Sequence, residues 1–234
     1  IGLLYFFNWI NGPFGKTLDA ETKQKVLPEL LPRTLYFFRW GAAYTWLSGV
    51  LLLGILYYMG GGMGGDSQVT VIAIVSFLVG AIVYDQLWLR VFGDKEQAGV
   101  VVSFLLLVGL MAYWASTSMP ARAQFIHVGA LFGTAMAFNV WYRIWPAQRV
   151  IIAGIKNGTP VDGSLGKLAG LPSKPNTYMS VPLIFIMVSS HFPTQVLGFQ
   201  TDKGWVLLSA VIVLGWIFTW WVYQKSRTAA PATY

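Results

Sequence analysis

From Gly99 to Thr117 the chain reads GVVVSFLLLVGLMAYWAST, a run of 19 residues without one charge. A helix needs about 20 mostly apolar residues to cross a bilayer, and comparable blocks recur at 34–59, 69–92, 99–117, 124–145, 178–197 and 205–224. Only 11% of the 234 residues are charged, less than half of the roughly 25% usual in soluble domains. No run of short segments with alternating polarity points to a transmembrane barrel. The pattern predicts an all-α, polytopic transmembrane helix bundle of about seven spans, the first of them incomplete. "IGLLYFFNWI" (1–10) is apolar but too short to span, and reads as the second half of a helix. It has neither the basic start nor the small-residue cleavage site of a signal peptide. Connections are expected at 11–33, 60–68, 93–98, 118–123, 146–177 and 198–204. Residues 1–224 form one transmembrane domain, and 225–234 a cytoplasmic tail or linker stub.

With these spans, Lys and Arg sort strongly between the two sides. One side collects Lys16, Lys23, Lys25, Arg33, Arg90, Lys95, Arg143, Arg149, Lys156, Lys167, Lys174, Lys225 and Arg227; the other holds Arg122 and Lys203. Cytoplasmic loops carry the excess of Lys and Arg, so the 146–177 connection and the C-terminus are expected inside, in a bacterial cytoplasmic (inner) membrane. The net charge of +7 is thereby a topology signal, and nucleic acid is not an expected partner; the lipid bilayer is. The chain has no cysteine, so it can supply no disulfide, thiolate metal site, iron–sulfur cluster or covalent c-type haem. "GGGMGG" (60–65) lacks the Lys-Ser/Thr ending of a phosphate loop and reads as flexible punctuation.

There are two histidines. His127 lies about one turn into a helix that starts at the outer face. His191 lies near the outer end of the next, antiparallel helix, just before Phe192 and Pro193. The two are at similar depth near one face. Paired imidazoles on facing helices are a usual way to hold a haem b, which makes His127 and His191 candidate metal ligands. Gly129 and Gly133 form a small-xxx-small step that admits a close neighbour, a helix or a flat ring. The alternative is that each histidine serves a structural role alone. Two charges also fall inside apolar spans, Arg39 and Asp85, at similar depth near the inner face. An unpaired charge there costs roughly 2.5–3.5 kcal/mol on insertion scales, so an ion pair is expected, with snorkelling to the interface as the alternative. The 37 aromatic residues, 11 of them Trp, read mainly as interfacial belts and packing, or more sharply as a stacking site for a planar substrate.

"RWGAAYTWLSGVLLLGILYY" (39–58), "VYDQLW" (83–88), "HVGALFGTAMAFNVWYRIWPAQR" (127–149) and "NTYMSVPLIFIMVSSHFP" (176–193) resemble the membrane domain of the cytochrome-c-linked, membrane-bound urate oxidases. The matching positions are Trp40, Trp46, Ser48, Gly49, Asp85, His127, Gly129, Gly133, Asn139, Pro146, Gln148, Arg149, Asn176, Tyr178, Pro182, His191 and Pro193. The resemblance implies oxidation of urate to 5-hydroxyisourate with electrons passed to a cytochrome c. Two positions depart from the family pattern: Gly41 stands where an acidic residue is usual, and "KPNTY" (174–178) has no histidine before its tyrosine.

Three functions are therefore in view: an integral-membrane redox or electron-transfer subunit, with haem b near the outer face; a non-catalytic subunit of a larger respiratory or photosynthetic complex; and a urate oxidase served by a separate cytochrome c. Other membrane subunits or a cytochrome c are the expected protein partners. Reporter fusions at residues 160 and 230 should both behave as cytoplasmic; a translocated reporter at either would reverse the orientation.

Overall fold

The computed structural model describes residues 1–92, 95–159, 163–189, 191 and 203–228, without the side chains of 96 and 163–172. Among the described residues the chain is all helix, with no strand: α1 (2–17), α2 (Ala20–Met59), α3 (Ser67–Phe92), α4 (Glu96–Ala115), α5 (Ala121–Asn157), α6 (Gly163–Ser189) and α7 (Gly204–Thr228). α2, α3, α4, α5 and α7 are long and apolar enough to cross a membrane. The protein is a multi-pass membrane protein and the expected all-α bundle is found. The expected span 178–197 is helical to Ser189; residues 190 and 192–197 lie outside the described residues. So do 229–234 of the expected tail, whose residues up to Thr228 continue α7.

Two expected connections are corrected. Much of 11–33 belongs to α2, even though Pro28 and Pro32 sit inside that helix. A proline inside a helix costs about 3 kcal/mol or more. Leu27, Leu31 and Leu35, four residues apart, lie on one helix face and bury together against Ile152, with Phe7, Phe38, Trp145 and Ile155 around them. That burial offsets the prolines at about 1.5–3 kcal/mol per large apolar side chain. The expected connection 146–177 is largely helix as well. α5 continues through Pro146 to Asn157, where Gly158 ends it in the left-handed region (φ +65°). Its last turn is fastened by Gln24, which donates Nε2–H to the Lys156 carbonyl at 3.1 Å.

Among the described residues four helices contain a widened turn with i→i+5 hydrogen bonding: Phe6–Asn11, Gly54–Met59, Leu87–Phe92 and Asn139–Ile144. Each inserts an extra residue, so side chains beyond it rotate by about 100° around the axis relative to a regular helix. The turn at 139–144 immediately precedes Trp145 and Pro146, and Pro146 has no N–H to return to Tyr142.

The chain forms two compact units. The first comprises Ile1–Thr45, Met136–Val181 and Leu214–Tyr234, the second Trp46–Ala135 and Pro182–Val213. The first carries twelve Lys and Arg against four Asp and Glu, the second four against five. Trp114, Met111, Val128, Ile186, Leu208 and Ile212 are fully buried in the second unit, whereas Leu51, Leu52, Ile55 and Leu56 are exposed on its surface.

The glycine run between α2 and α3 is an ordered reversal rather than punctuation. Gly61, Gly64 and Gly65 have φ between 78° and 84°, which side-chain-bearing residues rarely adopt. A Cβ on Gly62 would lie 2.8 Å from the Leu56 carbonyl oxygen. Asp66 then caps α3: Oδ1 accepts from the backbone N–H of Gln68 (2.9 Å) and Val69 (3.2 Å). Oδ2 accepts from Ser118 Oγ at 2.8 Å, tying the loop to the turn before α5. The Ser118 hydroxyl first, and the Val69 amide next, hold this carboxyl below its ordinary range. A carboxyl depressed in the folded state adds stability above its unfolded pKa and loses it as pH falls through the folded one. Asp66→Ala should lower the thermal midpoint in detergent by about 2–4 °C at neutral pH. The deficit should close below the carboxylate range; a deficit that is the same at every pH would rule out the ionised cap.

Candidate functional site

His127 is fully buried in the second unit. Its Nδ1 lies 2.7 Å from the Ala123 carbonyl one turn back. A carbonyl only accepts, so Nδ1 carries the proton, and in the neutral ring Nε2 is then the acceptor. The Tyr58 hydroxyl meets that nitrogen at 3.0 Å, and as the partner with a proton it donates. Tyr57 and Trp114 stand edge-on to the imidazole, with ring centroids 6.2 and 6.1 Å away. Tyr57 and Tyr58 reach it from the widened last turn of α2. The result is a phenol hydrogen-bonded to a neutral imidazole of fixed tautomer, walled by aromatic rings. Chemically it can pass a proton from oxygen to nitrogen without water.

His191 is exposed, its backbone N–H bonded to the Val188 carbonyl. Pro193 lies outside the described residues. A bis-histidine haem needs a free nitrogen on each imidazole. On His127, Nδ1 is spent on its own helix and Nε2 on Tyr58. As placed, the residues do not fit that group, and no step is derived through it. The glycine step resolves on the side of a helix. A Cβ on Gly129 would meet Ile186 at 3.0 Å and Leu183 at 3.5 Å, both on α6, while one on Gly133 would meet nothing within 4 Å. Nearby, Trp46 donates its indole N–H to Thr134 at 3.0 Å.

The first unit holds a second polar group of side chains. Asn139, in the widened turn of α5, donates Nδ2–H to Asn176 Oδ1 of α6 at 2.7 Å. Asn176 in turn donates to the Met136 carbonyl at 3.1 Å. Asn8 Oδ1, in the widened turn of α1, accepts from Ser173 Oγ (3.0 Å) and from the Tyr223 hydroxyl (3.1 Å). Ser180 Oγ donates to the Thr177 carbonyl at 2.7 Å and so accepts from the Tyr5 hydroxyl at 3.0 Å. Above this seam Tyr5 stacks on Trp9, Trp9 meets Tyr223 edge-on, and Tyr223 stacks on Tyr178. The motif resemblance marked Asn139 and Asn176, and the structure brings them together. It did not mark Tyr58, Asn8, Ser173 or Tyr223. Asn8 is an amide inside the aromatic run 1–10, and that was its only signal.

Arg39 belongs to the first unit and Asp85 to the second, so the ion pair inferred from depth stays a proposal. Within its unit Arg39 is surrounded by rings. Its guanidinium carbon lies 4.0 Å from the Trp145 centroid, 5.5 Å from Trp141, 5.8 Å from Tyr36 and 5.9 Å from Trp40. Asp85 accepts from Gln86 Nε2 at 3.0 Å. Among the described residues no group of three or more His, Cys, Asp and Glu is placed to hold a metal ion.

Leaving one partner of a buried hydrogen bond unmet costs about 1–3 kcal/mol. Tyr58→Phe should destabilise by that amount through His127 Nε2, and Asn139→Leu likewise through Asn176 Oδ1. Asn139→Leu with Asn176→Leu should cost less than the sum of the two single changes. Denaturant unfolding in detergent micelles measures all of these, and strict additivity of the two asparagines would show that they do not act as a pair.

Residues 15–234 match the family described as urate oxidase, N-terminal. A protoheme IX farnesyltransferase of Caulobacter sp. (strain K31) is 26% identical over 112 residues, 47% of this chain and 30% of that protein. The match thus spans less than a third of the length of that curated relative. No solved structure matches the chain. The family match takes in both the Tyr58–His127 pair and the Asn139–Asn176 seam, and the chain belongs to the urate oxidase N-terminal family.

Proposed function

We propose that this protein is the membrane-embedded part of a urate-oxidising redox system that hands its electrons to a separate c-type cytochrome. The carrying observation is the buried pair in which Tyr58 donates to neutral His127. Ionisable and hydrogen-bonding groups buried within membrane spans are functional by default. The overall step is urate plus water giving 5-hydroxyisourate, two protons and two electrons, the electrons reducing two ferric cytochromes. His127 Nε2, reached through the Tyr58 hydroxyl, is the acceptor for one of those protons, a general-base role within hydrogen-bond reach. In orientation, the first unit, with twelve basic against four acidic residues, faces the cytoplasm of a bacterial inner membrane, and α7 ends on that side.

A second reading, a non-catalytic subunit packed into a larger membrane complex, is favoured by the completeness of the polar contacts. Both His127 nitrogens and both Asn176 side-chain atoms are already engaged. Gly41 and Lys174, where the family pattern has other residues, point the same way.

The readings separate in one assay. Purified protein in vesicles is given urate and ferricytochrome c, and urate loss is followed together with cytochrome reduction. The redox reading expects two cytochromes reduced per urate. Tyr58→Phe and His127→Gln, checked for retained helix content, should each slow this by 100-fold or so, the scale of general acid–base catalysis. No turnover by the intact protein, with recovery only in a large complex, would favour the scaffold.

A further inference from the structure

We propose that Arg39, Trp145 and Arg149 form a binding site for an oxyanion at the membrane interface. Arg39 is the twentieth residue of α2. The 20 residues from Trp40 to Met59 cover about 30 Å at 1.5 Å per residue, enough for the hydrocarbon core. The charged segment holding Glu21, Lys23, Lys25, Glu29 and Arg33 therefore lies beyond the bilayer, and Arg39 stands at its edge. A guanidinium there is stabilised by ring faces, and four surround it. Ring faces offset its charge but accept few of its five N–H donors. Nε is enclosed and has no hydrogen-bond acceptor. Among the described residues of its unit no carboxylate lies within ion-pair distance of Arg39, although Lys25–Glu21 and Arg33–Glu29 are paired at 2.6 and 2.9 Å on the same helix.

The second cation makes this more than a lone buried arginine. Arg149 stands over the same indole, 5.8 Å from the Trp145 centroid, against 4.0 Å for Arg39. Two guanidiniums brought to one ring repel each other unless an anion joins them. Trp141 holds the geometry by donating its indole N–H to the Arg39 carbonyl at 3.1 Å, so backbone and side chain of Arg39 are both fixed by neighbouring tryptophans. A planar fork held on an indole suits a ligand with two adjacent oxygen acceptors, which Arg takes bidentately. A lipid phosphate at this depth has that chemistry. The anionic edge of urate, a carbonyl oxygen beside a deprotonated ring nitrogen, offers a comparable pair of acceptors, and only that source rests on the function proposed above.

The test has two arms on the intact protein. In the first, protein reconstituted in mixed phosphatidylglycerol and phosphatidylcholine bilayers is solubilised and its retained lipids are counted by mass spectrometry. In the second, urate binding is measured by equilibrium dialysis on protein in phosphatidylcholine nanodiscs. Enrichment of phosphatidylglycerol, or saturable urate binding, is expected to fall about tenfold in Arg39→Gln, as for a lost charge-assisted bond. Arg39→Lys, which keeps the charge without the fork, should recover only part. Arg149→Gln, at an exposed position, provides a well-folded variant with a smaller loss should Arg39→Gln fail to fold. A response in the lipid arm alone identifies a lipid headgroup, and one in the urate arm a substrate contact; both support the site. No retention in either arm, or retention indifferent to Arg39 and Arg149, overturns it, whatever the turnover assay gives.

Discussion

A hydrogen-bonding side chain set among apolar helices has no water to turn to, so another side chain or a backbone carbonyl must answer it. Much of this protein's internal order follows from that demand. His127 is answered by Tyr58 and Ala123, Asn139 by Asn176, Asn176 by Met136, and Asn8 by Ser173 and Tyr223. Each link joins residues far apart in sequence or fixes the rotamer of one that does. Leucine packing tolerates small slips between helices; an amide 2.7 Å from its partner does not.

The widened turns are how the helices meet this demand. Tyr58, Asn139 and Asn8 all lie in such turns, as do Trp141, bonded to the Arg39 carbonyl, and Trp88, bonded to Ser103 at 3.1 Å. One extra residue per turn swings a polar group off the face that regular periodicity would assign it. The rest of the helix keeps its apolar face toward lipid or core. Such turns are common at functional sites, and here they coincide with the cross-helix polar contacts.

Satisfied and unsatisfied groups divide the molecule. The histidine and the asparagines are answered by neighbouring groups, which holds their geometry. Within its unit Arg39 is open: it has rings in place of acceptors. The enclosed indole N–H groups of Trp9 and Trp114 also lack hydrogen-bond partners; Trp9 lies between Tyr5 and Tyr223, and Trp114 beside His127. The hydrogen-bonded histidine and the ring-enclosed arginine thus fall at different places in the chain.

The helical class, the membrane and the central spans were legible in the sequence; His127 stood out in it, and Asn139 and Asn176 were marked only by the family resemblance. Long apolar blocks force helices in a bilayer, because the backbone must satisfy its own hydrogen bonds there. The helices through 20–33 and 145–157 were not legible, since Pro28, Pro32 and Pro146 argue locally against them. Leu27, Leu31 and Leu35 count for helix only once Ile152 is beside them. The pairing of His127 was likewise undecided. Spacing put His191 at the same depth, but depth along an axis says nothing of rotation around it. The widened turn at Gly54–Met59 brought Tyr58 to the imidazole instead. Composition determined that the chain lives in a membrane; only the tertiary structure decided which polar groups answer one another, because partners are chosen by rotation and register between helices distant in sequence.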